Sequence, residues 1–189
     1  VIMSATIDAS AICQALQAPL IESQGRMFPV DIVYAKEDTD RRDMPQVAAS
    51  AVRRALKEHD GDILVFLPGQ ADIMKCAELL KGIPSAVLPL YGNLPPAEQR
   101  RAILPSREGE RKVVIATSIA ETSLTIEGVR IVVDSGLSRP LVFDGRSGLS
   151  HLETVPVSMD MAKQRAGRAG RLAPGICYRL WTKAAEHRM

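Results

Sequence analysis

Short apolar runs alternate with segments of helical periodicity along most of the chain. The runs are Val30–Tyr34, Ile63–Leu67, Ala86–Leu90, Val113–Thr117, Ile131–Asp134 and Ile176–Trp181. Each has strand length and is dominated by apolar residues. Elsewhere apolar residues recur at i, i+3, i+4 and i+7. The sets are Ala9, Ile12, Cys13 and Leu16; Ala48, Ala51, Val52 and Ala55; and Ile73, Cys76, Ala77 and Leu80. That spacing gathers the apolar side chains on one helical face. Pro95 and Pro96 suit the first turn of a further helix running through Ile103. Strands alternating with helices predict βαβ units, so the expected fold is α/β, with a mainly parallel sheet flanked by helices. The stretch Leu137–Val157 breaks the rhythm. Its alternation, with Gly145-Arg146-Ser147-Gly148 as the turn, predicts a β-hairpin excursion. Lys36–Asp43 and Ser106–Arg111 read as charged loops.

Composition narrows this picture. A chain of 189 residues fits one domain large enough for a real core. The formal net charge is +2, so any binding to nucleic acid must come from placed groups and not from an overall field. Cys13, Cys76 and Cys177 are odd in number, far apart and in no metal-binding spacing. Reduced thiols in a cytoplasmic protein are the expectation. His59, His151 and His187 stand alone, so neither a zinc site nor a histidine base is expected. No apolar run is long enough to span a membrane, and no charged region followed by an apolar core opens the sequence, so no signal peptide is expected. The opening, Val1-Ile2-Met3-Ser4-Ala5-Thr6, reads as the end of a buried strand running into a turn. Residues 1–189 are therefore expected to be one domain excised from a longer chain.

The strongest chemical signal is Gln164-Arg165-Ala166-Gly167-Arg168-Ala169-Gly170-Arg171. On a helix, Gln164, Arg168 and Arg171 stand at i, i+4 and i+7, sharing a face, while Arg165 points elsewhere. A run this basic repels itself unless an anion faces it. Its two glycines each cost roughly 1 kcal/mol of helix stability against alanine. Arginine forks match phosphate oxygens two at a time and serve as arginine fingers in phosphoryl transfer. A solvated basic helix is the bland reading, but solubility requires neither the glycines nor this spacing. Gly69, Gly92 and Thr117-Ser118 each follow an apolar run. In open α/β sheets, ligands bind beyond the carboxyl ends of the strands. Small and hydroxyl residues there present backbone N–H groups and hydroxyls to phosphates. Taken singly, Gly69 and Gly92 read equally well as helix starts or turns, and Thr117 as a helix cap. No glycine is followed by lysine and no Asp-Glu pair occurs, so the sequence holds neither a P-loop nor a Walker B pattern.

The arginine-rich segment resembles motif VI of superfamily 2 helicases in the DEAH/RHA form. Four more segments resemble that family's motifs in its order. Met3-Ser4-Ala5-Thr6 is similar to motif III, and Leu64-Val65-Phe66-Leu67-Pro68-Gly69 to motif IV. Leu90-Tyr91-Gly92-Asn93-Leu94 is similar to the motif that follows it, and Ala116–Ile126 to motif V. The continuation Leu172-Ala173-Pro174-Gly175-Ile176-Cys177-Tyr178-Arg179-Leu180-Trp181 looks most like the bacterial HrpB branch. One short motif is a weak signal, whereas five in order are specific.

The resemblance implies a RecA-like fold and the second lobe of an ATP-dependent helicase, whose first RecA-like lobe on the same polypeptide holds the P-loop and Mg2+. It implies catalytic roles for Gln164, Arg168 and Arg171, and structural pairing for Arg165. Ser123, Thr125 and Glu127 match nucleotide-binding positions, with Glu127 standing where the family commonly has aspartate. Gly69, Gly92, Asn93, Thr117 and Ser118 match nucleic-acid-binding positions, with Ser118 where asparagine is frequent. Ser4 and Thr6 match positions that couple hydrolysis to strand movement. The hairpin resembles the family's strand-separating element. The implied partners are ATP, Mg2+ and single-stranded nucleic acid, RNA before DNA, and no metal ligand lies on this chain. The alternative from another class is a non-catalytic nucleic-acid-binding module that keeps the lobe's shape.

Overall fold

The computed structural model describes residues 9–17, 19, 27–121, 126–146 and 148–189. Ser4, Thr6, Ser123 and Thr125 lie outside the described residues. In chain order the elements are α1 (Ala9–Leu16), β1 (Val30–Tyr34), α2 (Met44–Glu58), β2 (Asp62–Phe66), α3 (Gln70–Leu79), β3 (Ala86–Leu90), α4 (Pro96–Ile103), β4 (Lys112–Ala116), β5 (Val129–Asp134), β6 (Leu137–Ser138), β7 (Leu141–Asp144), β8 (Leu149–Leu152), β9 (Val155–Pro156), α5 (Met159–Gly167) and β10 (Gly175–Arg179). Short 3-10 turns stand at Arg41–Asp43, Ser118–Ala120, Arg168–Gly170 and Lys183–Arg188.

Six strands form one parallel sheet in the order β1-β10-β5-β2-β4-β3. β2 and β4 are buried at every position, as central strands of a parallel sheet covered on both faces must be. Their side chains alternate between two cores. Ile63, Val65, Val113, Ile115, Ile131 and Val133 face α2 and α3, against Ala48, Val52, Ile73 and Cys76. Leu64, Phe66, Val114, Ala116 and Val132 face the other way, against Ala102, Ala120, Ile126, Ala166 and Ala169. The segment after β4 and the end of α5 therefore share one side of the sheet.

The helices start where the sequence prepares them. Pro45 and Pro96 occupy first turns, where the missing N–H costs nothing. Ser158 accepts from the Met161 N–H and caps α5. On α1, Cys13 is half-buried and Leu16 is 57% exposed. The predicted hairpin forms in two antiparallel steps. β6 pairs with β9 at its root, and β7 pairs with β8 beyond it.

Register sets the level of the strand ends. Phe66 lies beside Ala116 and Asp134, Ala116 beside Leu90, and Asp134 beside Arg179. The loops after β3, β4, β2 and β5 thus leave one edge of the sheet as neighbours.

Candidate functional site

The arginine-rich segment does not continue as one helix. α5 ends at Gly167, and Arg168–Gly170 tightens into a 3-10 turn. Along the segment Gln164 is half-buried, Arg168 buried and Arg171 exposed. The glycines explain the change. A Cβ on Gly170 would stand 2.5 Å from the Phe28 carbonyl oxygen and 2.7 Å from Val30 Cγ2. The Phe28 N–H donates to the Gly170 carbonyl at 2.8 Å. Backbone thus packs directly on backbone, which is the close approach that glycine permits.

Arg165 is 1% exposed and is the anchor of the segment. Its Nε donates to Glu121 Oε1 at 2.7 Å, and its Nη1 donates to Asp134 Oδ1 at 2.8 Å and to the Leu137 carbonyl at 3.1 Å. The guanidinium also stacks 4.8 Å from the Phe66 ring centroid. Burial alone would lower its pKa, but Asp134 and Glu121 outweigh burial and hold it above the ordinary arginine value. The structural pairing expected for Arg165 is what the geometry shows. Its two acids come from after β4 and from the end of β5, so Arg165 ties α5 to two loops at the carboxyl edge.

Arg168 donates through Nη2 to the Glu121 carbonyl. Burial and the neighbouring Arg171 charge bring its pKa down to about 10. Arg168, partly desolvated, is thus held near the Arg171 charge, on the side of the sheet that carries the segment after β4. Glu121, unassigned in the sequence reading, touches both arginines of the α5 turn. It sits inside the motif V resemblance, but its charge alone does not say which cation it will meet. Glu127 lies exposed in the turn before β5, at the amino-terminal edge, with Lys112 within electrostatic reach. Thr117 and Ser118 lie instead at the carboxyl edge. Thr117 and Glu127 therefore stand at opposite edges of the sheet.

At the carboxyl edge, Gly92 and Asn93 are exposed after β3, Thr117 is half-buried and Ser118 exposed after β4, and Gly69 is buried after β2. The Thr117 amide donates to the Leu90 carbonyl at 3.2 Å, joining two of these loops. Thr117 precedes a 3-10 turn, but its hydroxyl makes no capping hydrogen bond. Gly69 does stand at a helix start, immediately before α3. No Cβ on Gly92 would meet an atom within 4 Å. Among the described residues, no helix is long and apolar enough to cross a membrane.

Residues 47–173 match the helicase conserved C-terminal domain. The chain is 48% identical over 191 residues to the ATP-dependent RNA helicase HrpB of Escherichia coli, covering 99% of this chain and 24% of that protein. It is 42% identical over 196 residues to the pre-mRNA-splicing factor ATP-dependent RNA helicase prp22 of Schizosaccharomyces pombe, covering 98% of this chain and 17% of that protein. The crystal structure of the Escherichia coli DEAH/RHA helicase HrpB superimposes with a TM-score of 0.89 at 45% identity, over 98% of this chain and 24% of that one. The chain thus spans about a quarter or less of the length of these relatives. Its fold is the RecA-like fold of a helicase C-terminal lobe, and the chain belongs to the helicase conserved C-terminal domain family.

Proposed function

We propose that residues 1–189 are the second RecA-like lobe of a longer, DEAH/RHA-type ATP-dependent helicase that acts on single-stranded nucleic acid, RNA before DNA. The observation that supports this reading is that Arg168 opens, and Arg171 directly follows, a 3-10 turn anchored by Arg165, on the side of the sheet shared with the segment after β4. A partly desolvated guanidinium held beside a second cation gains from a polyphosphate placed between the two. The residues present therefore fit the outer phosphates of a nucleoside triphosphate. Arg168 and Arg171 would stabilise charge on the transferring phosphoryl group, and Gln164 would orient the attacking water or the γ-phosphate. Ser123, Thr125 and Glu127 would contact the nucleotide. Mg2+ and the P-loop belong to the first lobe, since this sequence has neither a glycine-lysine step nor an Asp-Glu pair.

Gly69, Gly92, Asn93, Thr117 and Ser118 would meet the nucleic acid backbone. These groups are neutral, so they read backbone and not base sequence. Ser4 and Thr6 would couple the two lobes. The test is ATP turnover with Mg2+, measured on the full-length protein and on the folded 189-residue chain, each with and without RNA. The split apparatus predicts turnover from the former and background from the latter. Robust turnover by the 189-residue chain overturns it. A full-length protein that binds RNA without hydrolysing ATP would establish the binding-module alternative.

A further inference from the structure

The groups placed at the nucleic-acid edge carry no charge: Gly92 and Asn93 after β3, Thr117 and Ser118 after β4, Gly69 after β2. These three strands are neighbours in the order β3-β4-β2, and β5 is the next in line. The chain leaving β5 runs Ser135-Gly136-Leu137-Ser138-Arg139 into the hairpin. Arg139 is exposed, whereas Gly69 is buried. A Cβ on Gly69 would stand 3.4 Å from Arg139 Nη1 and 3.6 Å from Arg139 Cδ. The Arg139 side chain therefore lies over the end of β2. A strand arriving there meets a guanidinium before it meets the Gly69 backbone.

The stem that carries Arg139 is braced. Pro140 restricts the preceding residue to extended backbone. The Pro140 carbonyl accepts from the Glu153 N–H at 3.1 Å, closing the hairpin just above its root. Asp72, on the first turn of α3, lies 3.5 Å from the same Cβ position on Gly69. Burial raises its pKa and the Arg139 charge draws it back down. The two side chains form no ion pair within 4 Å, so the guanidinium is steered by Asp72 without being closed off by it.

We propose that Arg139 is a phosphate-contacting residue at this edge, supplying the cation that the row at β3, β4 and β2 lacks; this rests on the reading of that edge as the nucleic-acid side. Neighbouring strands are about 4.8 Å apart, so β3 to β5 spans roughly 14 Å, the length of about four stacked nucleotides. Neutral donors along such a row position a backbone but release no counterions. A guanidinium that neutralises one phosphate contributes roughly −0.7 to the log–log dependence of affinity on salt for a single strand. Its planar fork also takes two phosphate oxygens at once.

The test uses the full-length protein and a fluorescently labelled single-stranded oligouridylate, with binding measured by anisotropy from about 50 to 200 mM salt. Arg139→Ala is expected to weaken binding roughly tenfold at low salt and to make the salt slope shallower by about 0.7. Arg139→Lys should keep the slope, because the charge remains. If Arg139 serves only as a counter-charge to Asp72, Arg139→Ala lowers the melting temperature, Asp72→Asn relieves that loss, and the salt slope stays at its wild-type value. An unchanged slope overturns the proposal. Should the alanine variant fail to fold, the slope is read on the Asp72→Asn/Arg139→Ala pair, with the same two outcomes. Thr117→Val separates the levels. If it weakens binding while Arg139→Ala does not, only the role of Arg139 falls. If neither does, the reading of the edge falls with it.

Discussion

Replacing Arg165 with alanine removes a buried cation that touches both Glu121 and Asp134. Asp134 is 0% exposed, and its Oδ2 has no hydrogen-bond partner among the described residues even in the wild type. Without Arg165, two carboxylates remain in a desolvated site with no cation between them. Breaking a buried pair in this way costs about 3–5 kcal/mol. Loss of the guanidinium from above Phe66 adds about 0.5–2 kcal/mol. For a chain of this size each kcal/mol shifts the melting temperature by about 2–4 °C, so a fall of about 10 °C or more is expected. Trp181 is the single tryptophan and is 7% exposed, which makes its fluorescence a reporter for urea unfolding. Arg165→Met should lose nearly as much as alanine, because it restores volume without charge. Adding Glu121→Gln and Asp134→Asn to Arg165→Met should recover most of the loss, because no charge is then stranded. A loss below about 1 kcal/mol for Arg165→Ala would refute the claim that this network anchors the arginine turn.

Three further outcomes are expected. Gly170→Ala should cost about 1–3 kcal/mol in urea unfolding, since its Cβ would meet the Phe28 carbonyl, whereas Gly92→Ala should stay within about 0.5 kcal/mol; equal costs would contradict the close approach. Burial and the hydrogen bond to Glu58 push the Tyr178 pKa up to about 12, so the native state holds that proton more tightly than the unfolded chain. The stability contributed by the neutral phenol is therefore complete below about pH 10 and lost as pH rises toward 12. The advantage of wild type over Tyr178→Phe should shrink across that window, and a constant difference would contradict the shift. In the full-length protein, Thr117→Val should raise the RNA concentration for half-maximal ATPase stimulation about fivefold, from a lost hydrogen bond of about 1 kcal/mol; an unchanged requirement would remove Thr117 from the edge.

Much of the sheet was legible because its strands are dominated by apolar residues. Asp62–Phe66 and Lys112–Ala116 carry five buried positions each, a pattern that few other elements share. The strand order was not legible, because β10 lies between β1 and β5 although it comes last in the chain. Hence the meeting of Arg165 with Asp134 could not be read from spacing. The change from α-helix to 3-10 turn after Gly167 was not legible, because the 3.6-residue period continues formally through Arg171. Arg139 gave no motif signal: it is a lone cation before a proline, and only its position over Gly69 sets it apart.

The central claim is that this lobe supplies arginine to ATP hydrolysis carried out with a first lobe. The most direct measurement is single-turnover ATP hydrolysis by the full-length protein carrying Arg168→Ala or Arg171→Ala, with ATP affinity measured in parallel. The account predicts that the rate falls by about 10³–10⁵ while ATP affinity changes only a few-fold, and that lysine at either position does not restore it. A rate within about tenfold of wild type in both alanine variants would contradict the account.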